Sequence, residues 1–106
     1  MARTLIQLPA SAKRGEVIEV RATIAHVMET GYRPGADGRI APRNILRRFI
    51  CRYGGEVVFA ADLYPAIAAN PYIAFPVLAV DSGTLEFEWQ GDNGFAQTEQ
   101  RPLQVT

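Results

Sequence analysis

The chain has 106 residues, of which 48% are hydrophobic and 21% charged, and its formal net charge is zero at pH 7. This length suffices for one core but not for a core plus a deep enclosed active site, so we expect a single domain over residues 1–106. The composition excludes a disordered chain. No apolar run approaches the ~20 residues needed to span a bilayer, so we expect no membrane insertion.

Charge is unevenly distributed along the chain. Residues 1–52 contain ten basic and four acidic residues, whereas residues 53–106 contain one basic and seven acidic residues. A basic half can indicate a nucleic-acid partner, but the aromatic residues are not interleaved with the arginines as stacking platforms would be. We therefore expect no nucleic-acid binding, and we predict that antiparallel strands from the two halves neutralise each other.

Alternation of apolar and polar residues predicts strands along most of the chain. About seven strands are predicted, over residues 3–7, 18–24, 45–53, 56–62, 72–80, 84–90 and 96–105. The clearest has Leu85, Phe87 and Trp89 on its inward face. Gly54-Gly55 is typical of a hairpin turn because both residues tolerate positive φ. Many short strands joined by tight turns indicate an all-β fold, an antiparallel β-sandwich.

Two segments depart from this pattern. Residues 29–44 have few apolar residues and several prolines and glycines, which indicates a long loop, either functional or simply exposed, with a small Asp37-Gly38 hairpin at its tip. One helical turn is predicted over residues 65–70, because it starts at a proline and ends at Asn70, before another proline.

Candidate catalytic and metal-binding residues are few. A blue-copper site needs two histidines and a cysteine, and this chain has a single histidine, so His26, Met28 and Cys51 cannot form one. Cys51 lies mid-strand on the same face as Phe49, which predicts a buried thiol rather than a nucleophile. His26 continues the inward face of its strand, which predicts a partly buried, hydrogen-bonded imidazole. We expect no catalytic residue, cofactor or metal site.

The candidate binding surface lies within residues 61–80. The strand over residues 72–80 is apolar on both faces, and Pro76 places it at a sheet edge or bulge. A bare apolar edge favours aggregation, so we expect another chain to cover it. The alternative is that the preceding turn and a neighbouring loop cover it internally. If a partner binds, Tyr64 and Tyr72 are the expected anchors.

Several of these segments together resemble one known family. They are HVMETGYR (26–33), PRNIL (42–46), FICRYGG (49–55), ADLYPAIAANPYIAF (61–75) and SGTLEFEW (82–89). In this order, and over nearly the whole chain, they are similar to SoxZ, the small non-catalytic subunit of the SoxYZ sulfur carrier in thiosulfate oxidation. One departure is Val27, where the family often has proline.

The resemblance implies an immunoglobulin-like β-sandwich that forms a heterodimer with SoxY. It further implies that SoxY, not this chain, carries sulfur intermediates on a cysteine in its C-terminal arm. The role of this chain would then be to support that subunit and to help present it, by transient docking, to the periplasmic Sox enzymes. Residues 1–13 lack the apolar core of a secretory signal, and the resemblance implies a periplasmic protein exported together with its partner.

The partner interface is expected to centre on the apolar strand and the turn before it, with polar contacts from the arginines. The expected interface residues are Tyr64, Pro65, Tyr72, Ile73, Phe75, Val77, Met28 and Arg48. Two alternatives remain open. One is a small redox or sulfur-transfer enzyme that uses Cys51, and the other is a generic periplasmic recognition sandwich with a different partner.

Overall fold

A computed structural model describes residues 2–26, 28–31, 34, 38–40, 43–64, 67 and 69–106. Among these residues it contains eight strands, one more than the seven expected. They are β1 (Thr4–Gln7), β2 (Ser11–Ala12), β3 (Val17–Ile24), β4 (Leu46–Tyr53), β5 (Glu56–Asp62), β6 (Tyr72–Leu78), β7 (Gly83–Gly91) and β8 (Ala96–Val105). The additional strand is the two-residue β2, which is too short to show an alternating pattern in the sequence.

The strands form two sheets. One has the order β1-β3-β6 and the other has the order β2-β8-β7-β4-β5. All pairs are antiparallel except β2 with β8, which is parallel and aligns Ser11 with Gln104. The predicted all-β sandwich is therefore confirmed, with one short parallel pair added at the edge of the larger sheet.

The sequence pattern placed the inward face of β7 correctly. Leu85, Phe87 and Trp89 on β7 are all buried. The ring of Phe49 on β4 lies 5.2 Å from that of Trp89 and 5.8 Å from that of Phe75 on β6, so aromatic side chains of both sheets meet in one core. The predicted hairpin between β4 and β5 is confirmed, because Gly54 and Gly55 have φ of 59° and 86°.

Basic and acidic residues from the two halves of the chain meet on neighbouring strands, as predicted. Arg52 on β4 donates to Glu86 at 2.9 Å and to Glu88 at 2.8 Å on β7. The pKa of Glu88 is lowered by hydrogen bonds from Gln90 and Arg52. Cross-strand pairs of this kind offset the charge imbalance and add modest stability to the sheet.

The ends of the long segment over residues 29–44 are held together. Glu29 and Asn44 exchange two backbone hydrogen bonds of 2.8 and 2.7 Å, and Pro34 forms an isolated antiparallel bridge with Ile40. Gly31 has a φ of +87°, and a Cβ there would lie 3.1 Å from the Cβ of Arg43, so this position favours glycine. The expected turn at Asp37-Gly38 lies partly outside the described residues, because Asp37 is not described.

Candidate functional site

The expected interface residues fall into an exposed group and a buried group. Tyr64 and Tyr72 are 63% and 58% exposed, Arg48 is exposed, and Ile73 is half-buried. The buried group comprises Phe75, Val77 and Met28. Pro65 lies outside the described residues. The exposed group is available for direct contact with a partner. The buried group can influence binding only by fixing the position of the backbone that carries the exposed residues.

Tyr64 lies near the start of the connection between β5 and β6, residues 63–71, and Tyr72 is the first residue of β6 directly after it. This connection crosses from one sheet to the other. Ile67 donates its backbone N–H to the Tyr64 carbonyl at 2.9 Å, which makes a single turn at the start of the connection. The helical turn predicted over residues 65–70 lies partly outside the described residues. Rigid aromatic side chains with a polar tip are the residue types that most often anchor protein interfaces.

The connection is fastened at its far end by Asn70. The Asn70 side-chain Oδ1 accepts from the His26 backbone N–H at 2.9 Å, and the Asn70 backbone N–H donates to the His26 carbonyl at 2.7 Å. Asn70 has a φ of 54°, a left-handed conformation that asparagine tolerates better than most residues. This reciprocal pair fixes the position from which Tyr72 begins β6.

His26 is buried and hydrogen-bonded, as the sequence predicted. Its Nδ1 accepts from the Met28 N–H at 3.2 Å, and its ring lies edge-on to Phe95 with centroids 5.3 Å apart. Burial lowers the pKa of His26, although the charge of Asp92 opposes this effect. The accepting Nδ1 assigns the proton to Nε2. In this geometry His26 serves as a structural residue at the end of β3.

β6 is an edge strand, as Pro76 predicted. Ile24 donates to Pro71 at 3.4 Å and Ala79 donates to Glu16 at 2.8 Å, so the odd-numbered residues of β6 face β3 in the hydrogen-bond ladder. The main chain of Tyr72, Ala74, Pro76 and Leu78 therefore points away from the sheet. Pro76 costs no ladder hydrogen bond, because it lacks a donor only on the free side.

A second feature beside Tyr64 is a groove with three arginines. It has a volume of about 590 Å³ and is lined by Arg43, Arg47, Arg48, Ile45, Leu63, Tyr64, Asp62, Gln90 and Gly91. The carboxylate of Asp92 is bound by two nitrogens of Arg43, with Nη2–Oδ1 at 2.9 Å and Nε–Oδ2 at 2.8 Å. Arg48 pairs with Asp62 at 2.8 Å. Arg47 makes no hydrogen bond or ion pair through its side chain within the described part of the chain.

A β-bulge creates this groove. Leu46 pairs with Gly91, but Arg48 pairs with Gln90, so Arg47 is an extra residue without a counterpart on β7. The bulge exposes Arg47 and Arg48 in succession, which a regular strand would turn to opposite faces. Gly91 is required opposite it, because a Cβ there would lie 2.8 Å from the Ile45 carbonyl oxygen.

Cys51 is fully buried on β4, which confirms the expectation of an inward-facing thiol. Burial raises the pKa of the thiol to about 12. At neutral pH the side chain is therefore protonated and lacks the thiolate that nucleophilic or redox chemistry requires. Within the described residues, the one hydrogen-bond contact of its side chain is from Sγ to the Arg52 carbonyl oxygen at 3.9 Å.

The described residues contain neither a cluster of metal-binding side chains nor a membrane-spanning helix. No group of three or more His, Cys, Asp and Glu side chains in this part of the chain is arranged to hold a metal ion. Within the same residues there is also no helix whose length and apolar character would let it cross a bilayer.

These features define a small immunoglobulin-like β-sandwich protein with an exposed tyrosine pair and an arginine groove at one side. The family described as "Sulphur oxidation protein SoxZ" matches residues 6–102, nearly the whole chain. The chain therefore belongs to the SoxZ family and takes part in the SoxYZ sulfur-oxidation system. No curated protein has significant sequence similarity to it.

Solved structures share the fold at low sequence identity. A variant of superoxide reductase (neelaredoxin) from Ignicoccus hospitalis matches with a TM-score of 0.73 and 15% identity, covering 97% of this chain and 79% of that one. The sulfur carrier protein SoxY from Chlorobium limicola f. thiosulfatophilum matches with a TM-score of 0.67 and 16% identity, covering 97% and 78%. At these identities the similarity shows the fold only.

Proposed function

We propose that this chain is the scaffold and docking subunit of a SoxYZ heterodimer, in which SoxY carries the sulfur and this chain does not catalyse a reaction. The observation that carries the proposal is the exposed pair Tyr64 and Tyr72 beside a free strand edge, in a chain that belongs to the SoxZ family. Aromatic anchors next to an unpaired edge are what a permanent partner would bury.

Each expected interface residue has a distinct role in this proposal. Tyr64, Tyr72 and Ile73 supply apolar contact area, and Arg48 supplies a charged contact at the rim. Pro65 belongs to the same connection between the sheets. The remaining three residues, Phe75, Val77 and Met28, are buried and have an indirect role. They fix the backbone of β6 and of the segment after β3.

The role of Met28 as a support has a specific basis. Its sulfur accepts a hydrogen bond from the Leu46 backbone N–H at 3.3 Å, and its φ is 53°. Met28 therefore links the end of β3 to the start of β4, next to the arginine groove. A change at this position would disturb the groove and the connection without touching a partner directly.

Absence of catalysis by this chain is supported by the state of its thiol. Cys51 is inaccessible and its pKa is raised to about 12, which disfavours the alternative of a Cys51-dependent sulfur-transfer enzyme. As a SoxZ subunit, the chain would act in the periplasm, exported with SoxY, and the heterodimer would dock transiently to the other Sox enzymes. Its contribution would be to stabilise and orient the sulfur-carrying subunit.

A matched pair of charge substitutions tests the proposal. Leu5 on β1 is 59% exposed, close to the 58% of Tyr72 on β6, and lies at the opposite edge of the same sheet. The chain is co-expressed with the SoxY protein of the same organism, with the tag on SoxY. Y72D should reduce the co-purified fraction at least about tenfold, since it removes an aromatic anchor, whereas L5D should leave the fraction nearly unchanged.

Two results would count against the proposal in different ways. Failure of the unsubstituted chain to bind SoxY would reject the heterodimer and favour a generic recognition sandwich with another partner. Equal, small effects of Y72D and L5D would retain the heterodimer but move its interface away from β6.

A further inference from the structure

The edges of the two sheets differ in how well they are protected against pairing with another chain. In the described structure, β1 and β6 are the outer strands of the smaller sheet, and β2 and β5 are those of the larger one. Natural sheet proteins protect such edges by shortness, proline, charge, bulges or covering segments. β5 has a bulge at Val58 and an acidic residue at each end, but its residues 59–61 carry none of these devices.

The other three edges each carry a recognisable block. β1 has only four residues, and β6 has Pro76 on its free side. β8 is covered at its end by β2, through hydrogen bonds from Gln104 to Ala10 at 3.1 Å and from Thr106 to Ala12 at 3.0 Å. Pro102 points to the same side as Gln104, since residues two apart share a side, and it removes a further donor.

β5 presents a regular set of free main-chain groups. Leu63 donates to the Arg47 carbonyl at 2.8 Å, and this bond shows which residues of β5 are hydrogen-bonded to β4. Phe59 and Ala61 therefore face β4, while the N–H and C=O groups of Ala60 and Asp62 point away from the sheet. An added strand would satisfy both groups of each of these residues.

The side chains along β5 favour the same use. The strand reads EVVFAAD, so between Glu56 and Asp62 it has neither charge nor proline. A bulge at Val58, between the pairs Cys51 with Phe59 and Arg52 with Val57, leaves both valines exposed. Val57 is 59% exposed, and adjacent β-branched side chains are well suited to packing against another strand.

The end of β5 at Asp62 lies next to the positively charged arginine groove. β5 ends at Asp62, and the chain continues through Leu63 and Tyr64 into the wall of the arginine groove. Asp62 and Asp92 form direct ion pairs with Arg48 and Arg43, whereas Arg47 interacts with Asp92 only through longer-range charge attraction. Arg47 is therefore the arginine of this groove without a direct ion pair among the described residues. A segment laid along β5 would bring its own end to this positive charge, so charge complementarity calls for a carboxylate there.

We propose that an extended segment of SoxY adds to the larger sheet along β5, with main-chain hydrogen bonds to Ala60 and Asp62 and a carboxylate side chain facing Arg47. This inference rests on the proposed heterodimer and specifies how its interface is formed. β5 and β6 lie on the same side of the sandwich, where the ring of Phe59 touches that of Phe75, so the added strand would be continuous with the Tyr64–Tyr72 surface. The SoxY structure from Chlorobium limicola has the same fold, so a SoxY partner of this fold also consists of β-strands.

Amide hydrogen exchange in the intact heterodimer is the direct test. The chain is labelled with ¹⁵N and bound to the SoxY protein of the same organism. The amides of Ala60 and Asp62 should exchange at least about a hundred times more slowly than the amide of Thr4, which points away from the sheet on β1. A heterodimer in which these amides exchange as rapidly as that of Thr4 would overturn the inference while leaving the proposed function intact. Failure to form any heterodimer would instead reject the proposed function.

Proline substitution separates strand pairing from simple burial. A60P removes an outward-facing N–H and no hydrogen bond to β4, and T4P makes the same change on β1. A60P should raise the dissociation constant for SoxY about tenfold or more, since two backbone hydrogen bonds are disturbed, whereas T4P should change it less than about twofold. Slow exchange at Ala60 combined with no effect of A60P would overturn strand addition.

The charged end of the segment has its own test. R47E should raise the dissociation constant and abolish part of its salt dependence, while R101E, the same charge change on β8, should have little effect. Equal effects of R47E and R101E would overturn the assignment of a carboxylate at this end.

Discussion

The ring of Phe59 on β5 stacks on the ring of Phe75 on β6, with centroids 4.4 Å apart and planes inclined by 8°. Both strands lie at the edge of their sheets, so this contact closes the core on the side where the two free edges run together. Phe75 is buried and Phe59 is half-buried. The stack therefore couples packing of the core to the geometry of the proposed interface.

Truncation of Phe59 should reduce the stability of the chain more directly than it reduces partner binding. We expect F59A to lower the free energy of unfolding by about 2 kcal/mol, less than for a fully buried phenylalanine because Phe59 is only half-buried. F59L, which retains apolar volume but loses the stacked ring, should cost about 1 kcal/mol. Urea denaturation of both variants gives these values, and a loss below about 0.5 kcal/mol for F59A would show that the stack is not part of the stabilising core.

The hydroxyl of Tyr53 on β4 holds the loop between β6 and β7. The Tyr53 hydroxyl donates to the Asp81 carbonyl and accepts from the N–H groups of Val80 and Asp81, each at 3.2 Å. Y53F should lower the free energy of unfolding by about 1 kcal/mol, at the low end for a lost hydrogen-bond group, because water can reach the exposed loop residues. The urea m-value should stay unchanged. A Y53F protein as stable as the unsubstituted one would mean that water replaces the hydroxyl without cost.

Much of the fold could be predicted from the sequence because burial imposes a period of two on half-buried strands. Leu85, Phe87 and Trp89 show this directly, and Gly54-Gly55 fixed a hairpin through its requirement for positive φ. Pro76 likewise indicated an edge, and the ladder between β3 and β6 explains why it is tolerated there. These signals are local, so a single sequence carries them.

The features that the sequence did not reveal depend on contacts between distant segments. The bulge at Arg47 exists because β4 and β7 are offset by one residue at Gly91, and neither strand indicates this alone. The reciprocal hydrogen bonds between His26 and Asn70 join residues 44 positions apart. Phe75 and Val77 were expected at the interface because β6 is apolar on both faces, but only the register shows that they face inward.

Cys51 distinguishes the scaffold from the sulfur-transfer alternative. Since its pKa is raised to about 12 from an ordinary 9.0, the thiolate fraction at pH 8 is reduced by roughly a factor of a thousand. We expect iodoacetamide to label Cys51 only after unfolding in urea. After thiosulfate turnover by the complete Sox system, mass spectrometry should find the sulfur adduct on SoxY and none on Cys51. An adduct on Cys51 would reject the scaffold role.

His26 should make stability depend on pH. It is the only histidine in the chain, and burial lowers its pKa below the ordinary value of 6.5. The unfolded chain therefore binds a proton at a higher pH than the folded chain does. The free energy of unfolding is therefore undiminished by this proton well above pH 6.5, and it falls as the pH decreases through and below that value. The lowered pKa values of Glu88 and Asp92 act in a separate window, below about pH 4.5.

H26Q tests this assignment, because glutamine retains an acceptor for the Met28 N–H but does not titrate. We expect H26Q to lower the free energy of unfolding by about 1 kcal/mol near neutral pH, since the amide fits the site less well than the imidazole. Between about pH 7.5 and about pH 5.5, however, the decrease in stability should be smaller for H26Q than for the unsubstituted protein. Parallel pH dependences for the two proteins would show that another group titrates in this window. The His26 imidazole would then have the same proton affinity in the folded and unfolded chain, in contradiction to its burial against Phe95.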